Sequence, residues 1–275
     1  MKKNNRSLLL FSLGLSALVL LFSTLSMLLC YDRSANYFTV GAVLPFFTVA
    51  LAIVAATVGI IAAILFPRDQ LNTTPFSNRI QESLPAAIAM LLCGVCLLLP
   101  QSTSFALRLI TTLLLLTSAA YVMLRSRRSN GFNPSTSFVL LGFTPAIACV
   151  LLTAYYYFDT SMEMNAPVKV MVQTAVLCAM LYFTCELRYL LGRQKPRLYL
   201  ALSLCTLAAS SLTAIAVPLS YAFGIFNRAD YLAGAVLGLG ISITVLLRLK
   251  RLLTPAETAP TDTPSDAKQE EDITE

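Results

Sequence analysis

Residues 38–66 read FTVGAVLPFFTVALAIVAATVGIIAAILF and contain no Asp, Glu, Lys or Arg. A helix needs about 20 consecutive apolar residues to cross the hydrocarbon core of a bilayer, and this stretch exceeds that length. The rest of the chain repeats the pattern, because charged residues separate eight uncharged stretches of 16 to 34 residues. We therefore predict an all-α, polytopic transmembrane helical bundle with eight spans.

The overall composition also favours a membrane-spanning chain. Hydrophobic residues make up 57% of the 275 residues and charged residues 12%, whereas soluble domains are about 25% charged. Histidine and tryptophan are both absent. The lack of histidine removes the usual general base and the commonest metal ligand. We accordingly expect no catalytic residue, no metal site and no cofactor.

The ends of the uncharged stretches predict the boundaries of the spans. Residues 1–251 form the transmembrane bundle, with spans near residues 7–30, 38–66, 84–99, 105–124, 137–157, 168–191, 198–221 and 231–247. The second span is long enough to tilt or to break at Pro45. Only five residues, 100–104, separate the third and fourth spans, so these form a tight hairpin that either crosses fully or re-enters.

The distribution of basic residues predicts the orientation. With a cytoplasmic N-terminus, 16 of the 20 lysines and arginines fall in cytoplasmic segments and four lie outside. Cytoplasmic loops of membrane proteins carry the excess of such residues. Both termini are therefore predicted to be cytoplasmic in a multi-pass protein of the cell membrane. Because this topology signal accounts for the positive charge, we expect no nucleic acid among the partners.

Residues 252–275 differ from the rest of the chain. They hold seven of the 14 acidic residues and one of the 20 basic residues, and they are rich in Pro and Thr. Such a composition cannot bury enough apolar surface to fold. We predict a disordered, acidic cytoplasmic tail.

Glu186 is the acid that lies clearly inside a predicted span. It ends a line of polar residues spaced by four on span 6, namely Thr174, Cys178, Tyr182 and Glu186, which places them on one helix face. Acids inside a membrane typically serve as proton or cation sites, so these four are the candidate binding residues. In the structural alternative, Glu186 pairs with Arg193 or another arginine near the cytoplasmic end.

Two basic residues lie at the predicted outer ends of spans. Arg108 lies at the outer end of span 4 and Lys169 at the outer end of span 6. Near Asp159 and Glu163 they would form an anion-selective entrance. The more ordinary interpretation is that their long side chains extend to the membrane surface.

Two close-spaced pairs suggest further roles. Cys93 and Cys96 have the spacing of a redox pair, which would make the protein an intramembrane thiol oxidoreductase. In a helix the same spacing simply places two small residues on one stripe. Gly234 and Gly238 form a GxxxG motif on span 8, which predicts close helix packing, either within the bundle or in a homodimer.

No motif in the chain indicates a specific chemistry. We therefore interpret it as a non-enzymatic, multi-pass membrane protein, either a small permease or a membrane subunit of a larger complex. The alternative is an intramembrane enzyme with thiol redox chemistry at Cys93 and Cys96. The expected partners are the lipid bilayer, other membrane subunits, or a second copy bound through Gly234 and Gly238.

Overall fold

The computed structural model describes residues 3–68, 71, 80–99, 105–127 and 135–253. The predicted tail, residues 252–275, lies almost wholly outside this part of the chain. The described residues form ten helices: α1 Lys3–Leu29, α2 Val43–Leu65, α3 Ile80–Leu98, α4 Phe105–Ser126, α5 Thr136–Leu141, α6 Thr144–Phe158, α7 Pro167–Leu190, α8 Pro196–Ser211, α9 Ala216–Ala222 and α10 Ala229–Leu252. One short antiparallel hairpin pairs β1 Tyr31–Asp32 with β2 Tyr37–Phe38.

Eight helical segments are long and apolar enough to cross a membrane. Six are single helices, whereas span 5 (Thr136–Phe158) combines α5 with α6 and span 7 (Pro196–Ala222) combines α8 with α9. Helix α3 has 19 residues and α4 has 22, so each extends about 28 Å or more. Both therefore match the thickness of a bilayer core. The predicted all-α bundle with eight spans is confirmed.

The second span starts later than predicted and is not broken at Pro45. Phe38, predicted to begin this span, belongs instead to β2 of the hairpin, and α2 begins at Val43. Pro45 thus lies in the first turn of the helix. An amide at this position has no acceptor within the helix, so proline costs little there.

The interruptions lie in spans 5 and 7. Gly142 and Phe143 separate α5 from α6, and Pro145 then occupies the first turn of α6. In span 7 the helix is interrupted between Ser211 and Ala216. The hydroxyl of Ser23 in α1 donates to the carbonyl of Leu212 at 2.5 Å, which satisfies one backbone group at this break.

Spans 6, 7 and 8 form the centre of the bundle. Helix α7 packs against α8 and α10, and α8 also packs against α10. The α1–α2 hairpin covers α8 on one side, while the α3–α4 hairpin packs on α10 and α6 fills the space between α4 and α7. The outer helices present apolar side chains to the surroundings, as α2 does with Phe46, Ile53 and Ile64. Such a surface is suited to lipid.

Glycines allow the close packing of α10. A Cβ atom on Gly240 would lie 2.6 Å from the carbonyl oxygen of Pro85 and would collide with the Cβ of Ala89 in α3. A Cβ on Gly234 would lie 2.6 Å from the hydroxyl of Tyr156. Gly238 is also buried, but its nearest neighbour, Ser210, leaves ordinary space at 3.6 Å. The GxxxG motif therefore packs within the bundle, and a homodimer through Gly234 and Gly238 stays a prediction.

Contacts between connections distinguish the two ends of the bundle. We call the end at which α1 begins and α10 ends the termini end, and the opposite one the far end. At the far end, Arg33 donates to the carbonyl of Gly224 at 3.3 Å, and Tyr37 donates to Glu163 at 2.9 Å. At the termini end, Arg197 donates to the carbonyl of Phe66 at 3.0 Å. The spans thus alternate in direction.

Reporter fusions test the predicted orientation of these ends. We expect fusions after Asn130 and after Thr254 to report the cytoplasm, because the basic residues concentrate at the termini end. A fusion after Glu163 is expected to report the exterior. A cytoplasmic signal at Glu163 would contradict the predicted orientation.

Candidate functional site

A buried ion pair lies at the termini end of the central helices. Glu186 of α7 contacts Arg248 of α10, and both side chains are about 5% exposed. Arg248 also donates to the hydroxyls of Tyr182 at 3.2 Å and Ser83 at 3.0 Å. Tyr182 in turn is hydrogen-bonded to Tyr199 at 2.8 Å. These five residues are called the termini-end cluster.

The predicted site on span 6 is brought together only in part. Tyr182 and Glu186 lie in the cluster, and the arginine that pairs with Glu186 is Arg248 of span 8. Thr174 is exposed, and its hydroxyl donates to the carbonyl of Val170 at 2.8 Å. Cys178 is partly buried, and its carbonyl accepts a hydrogen bond from Thr206 at 3.0 Å.

The geometry of the helix explains why Thr174 lies apart. An α-helix has 3.6 residues per turn, so each step of four residues rotates the side chain by about 40°. Three steps separate Thr174 from Glu186, and their directions therefore differ by about 120°. A spacing of four places neighbours on one face but does not keep a long line there.

A second buried cluster lies at the far end, around Arg228. Its guanidinium contacts two carboxylates, Asp159 at 2.9 Å and Asp230 at 2.7 Å. Asp159 follows α6 and is 1% exposed, and Asp230 lies in the first turn of α10 and is fully buried. One arginine therefore joins the end of span 5 to the start of span 8.

Neighbouring groups complete the hydrogen bonding of the two carboxylates. Tyr231 donates to Asp159 at 2.8 Å, and both the backbone amide and the hydroxyl of Ser161 donate to the other carboxylate oxygen. Tyr155 lies 3.5 Å from Asp230. Asp159, Lys169, Arg228, Asp230 and Tyr231 are called the far-end cluster.

Lys169 takes part in the far-end cluster through backbone groups. It is 1% exposed, and its ammonium donates to the carbonyls of Asp159 at 2.7 Å and Met162 at 3.3 Å. Arg108 instead donates to the carbonyl of Leu99 at 2.7 Å. Within the described residues no contact joins Arg108 to Lys169, so these two bases do not line a common entrance.

The charges of the far-end cluster stabilise one another. Burial raises the pKa of the Asp159 carboxyl, but hydrogen bonds from Ser161 and Tyr231 and the charge of Arg228 outweigh it, so that this pKa lies below its ordinary value. Burial lowers the pKa of the Arg228 guanidinium, whereas Asp230 and Asp159 raise it to a value above the ordinary one. The far-end cluster thus combines two carboxyl groups with the guanidinium of Arg228 and the amino group of Lys169.

Buried hydroxyls lie between the two clusters, near the middle of spans 7 and 8. Ser210 and Thr213 of span 7 lie beside Gly238 of span 8, and Ser242 follows one turn later on α10. The hydroxyl oxygens of Ser210 and Ser242 are buried and have no hydrogen-bond partner among the described residues. We call Ser210, Thr213, Gly238 and Ser242 the middle group.

Among the described residues, no contact joins Cys93 or Cys96 to either cluster. Cys93 is fully buried, Cys96 is partly buried, and both are free thiols. Among the residues that the structure describes, no group of three or more Cys, Asp or Glu side chains is arranged to hold a metal ion.

The sequence pattern placed Lys169 near Asp159 but did not connect them to Arg228, Asp230 and Tyr231, because charges at the edges of spans do not indicate their partners. A signal was nevertheless present: Arg228 and Asp230 are two residues apart in an otherwise uncharged region between residues 198 and 247.

No protein family, no curated protein and no solved structure matches this chain.

Proposed function

We propose that the protein is a small permease of the cell membrane, with both termini in the cytoplasm and a polar path between spans 6, 7 and 8. In this proposal the two buried clusters act as gates at opposite ends of the path. The middle group, together with the break in span 7, forms the site where a small polar solute is held between them.

The arrangement of charges on α7 and α10 carries the proposal. Each helix contributes to both clusters, because α7 holds Lys169 and Glu186 while α10 holds Asp230 and Arg248. Asp230 and Arg248 are about 27 Å apart along α10 at 1.5 Å per residue. This distance is close to the thickness of the hydrocarbon core. One ion-pair cluster thus lies near each membrane surface on the same two helices.

The middle group supports a path rather than a solid core. Polar groups without a hydrogen-bond partner are costly inside a membrane, and water or a bound solute would satisfy them. Ser210 and Ser242 are such groups. Interrupted helices within a membrane are likewise tolerated where backbone groups line a cavity or are satisfied by neighbours. Opening one cluster while the other remains closed would expose the middle group to one side at a time.

Cysteine labelling tests whether water reaches the middle group. In a Ser210→Cys variant reconstituted in lipid vesicles, we expect a charged, water-soluble methanethiosulfonate reagent to modify Cys at position 210. The native Cys149 is the matched control, since it is also about 1% exposed but lies on α6. Mass spectrometry of the peptides measures the modified fraction at position 210 and at Cys149 in one sample.

The outcome separates a permease from a purely structural bundle. Modification at position 210 without modification of Cys149 supports the path. If neither cysteine reacts in the membrane while both react after denaturation, the centre is a dry core and the permease proposal is wrong. A membrane subunit of a larger complex would then be the better interpretation.

Glu186→Gln distinguishes a working gate from a structural pair. The substitution keeps the size of the side chain but leaves the buried charge of Arg248 without its carboxylate. If Glu186 is part of a gate, we expect position 210 to be labelled at least several-fold faster in Ser210→Cys/Glu186→Gln than in Ser210→Cys, because the termini-end cluster opens more often. The detergent melting temperature should fall as well, since breaking a buried pair costs about 3–5 kcal/mol. A lower melting temperature with unchanged labelling would assign Glu186 a structural role only.

A further inference from the structure

A basic pocket lies at the termini end, outside both buried clusters. It has a volume of about 380 Å³ and is lined by Arg68, Gln194, Lys195, Pro196, Arg197 and Leu198. Three of these six residues are basic and none is acidic. We propose that this pocket binds the phosphate group of an anionic phospholipid.

The local structure brings the basic residues to one place on the surface. Gly192 adopts a positive φ of 72°, which lets the chain reverse direction between α7 and α8. The reversal brings Lys195 and Arg197 to the end of α2, where the Nε of Arg197 donates to the carbonyl of Phe66 at 3.0 Å. Arg68 follows directly from that end. The pocket therefore joins the end of span 2 to the start of span 7.

The charges that line the pocket are not neutralised within the described residues. No carboxylate in that part of the chain forms an ion pair with Arg68, Lys195 or Arg197, whereas Arg251 at the same end is paired with Glu82 at 2.7 Å. Asp69 lies outside the described residues. Helix α8 begins at Pro196 without a side-chain cap, so the amides of its first turn add partial positive charge beside the same pocket.

The surroundings favour a lipid over a soluble anion. Leu198 lines the pocket and is 36% exposed, while Leu65 and Leu191, each three residues before a lining residue in the chain, are 56% and 49% exposed. These side chains lie at the ends of membrane spans, where acyl chains would contact them. A headgroup phosphate in the pocket would then have basic residues on one side and its own acyl chains against the leucines. Basic pockets between spans on the cytoplasmic side commonly bind lipid headgroups in this way.

The test measures lipid binding by the delipidated full-length protein. Native mass spectrometry in mild detergent would follow the addition of phosphatidylglycerol and, separately, of phosphatidylcholine. We expect phosphatidylglycerol to bind more tightly. In the variant Arg68→Gln/Lys195→Gln, its affinity should fall about 30-fold, equivalent to about 2 kcal/mol. Arg197 is left unchanged to preserve its bond to Phe66.

A charge-matched variant provides the control. Arg127→Gln/Arg188→Gln removes two bases from the same end, neither of which lines the pocket, and should leave the affinity for phosphatidylglycerol within about twofold. Equal losses in both variants would mean that only overall charge matters and would overturn the proposal. A free-anion site would instead show inorganic phosphate displacing the lipid at millimolar concentration, and this result would also overturn it. None of these outcomes depends on whether the protein is a permease.

Discussion

Replacing Arg228 with methionine is expected to destabilise the protein more than any other single charge removal at the far end. The substitution leaves Asp159 and Asp230 buried, adjacent and without their shared cation. Removing one partner of a buried ion pair costs about 3–5 kcal/mol, because the remaining charge is left uncompensated. We expect the melting temperature in detergent at pH 7 to fall by about 10 °C or more.

The stability of the Arg228→Met variant should depend on pH differently from that of the unmodified protein. In the unmodified protein, the lowered pKa of Asp159 means that its stabilising contribution is present at neutral pH and is lost as the pH falls below about 4. In the variant, two adjacent buried carboxylates without the guanidinium between them favour uptake of a proton. As the pH is lowered from 7 to 5, we therefore expect the melting temperature of the variant to rise while that of the unmodified protein stays the same.

Two further variants control for a general loss of charge. Arg33→Met removes an arginine that donates to the carbonyl of Gly224 and to the side-chain amide oxygen of Asn227 but forms no ion pair among the described residues, and should lower the melting temperature by no more than about 2 °C. The double variant Arg228→Met/Asp159→Asn should recover part of the lost stability, because one of the two repelling charges is gone. If Arg228→Met were as stable as Arg33→Met, the far-end cluster would not hold spans 5 and 8 together.

The second large effect is expected for Gly240→Ala. The added Cβ would collide with Ala89 and lie 2.6 Å from the carbonyl oxygen of Pro85. Because one of these atoms belongs to the backbone, α3 and α10 must move apart. Overpacking of this kind costs about 1–3 kcal/mol, and we expect a value near the upper limit. A lower melting temperature and faster proteolysis of the variant would both report the loss of stability.

Gly238→Ala is the matched control for this substitution, since it adds the same methyl group to the same helix. The nearest atom to a Cβ at Gly238 is 3.6 Å away, so the methyl group fits. Alanine also favours a helix over glycine by up to about 1 kcal/mol. The expected result is a melting temperature equal to or slightly above that of the unmodified protein. Equal losses at both positions would show that α10 does not contact α3 as closely as described.

The sequence predicted the membrane spans well because they depend on a single, strong physical requirement. A helix that crosses lipid must be long and apolar, and the eight uncharged stretches record this directly. The start of α2 was predicted five residues too early because residues 38–42 carry no charge, yet the backbone of Phe38 pairs with β1. Apolar composition does not distinguish these two local structures.

Contacts between distant residues were harder to predict. The pairing of Glu186 with an arginine was foreseen, but its identity depends on how spans 6 and 8 face each other, and a single sequence does not record that. Similarly, the GxxxG motif drew attention to Gly238, whereas Gly240 makes the closer approach to α3. A spacing rule identifies residues that can pack closely but does not identify the neighbour.

The position of Arg248 near the end of α10 has a consequence for the synthesis of the protein. Glu186 enters the membrane with span 6, about 60 residues before its partner is made, an interval on the order of 3–12 s at ordinary translation rates. Asp159 also precedes Arg228 in the chain. Until residues 228–252 have been made, the nascent chain therefore carries Asp159 and Glu186 without the two arginines that they contact in the folded bundle.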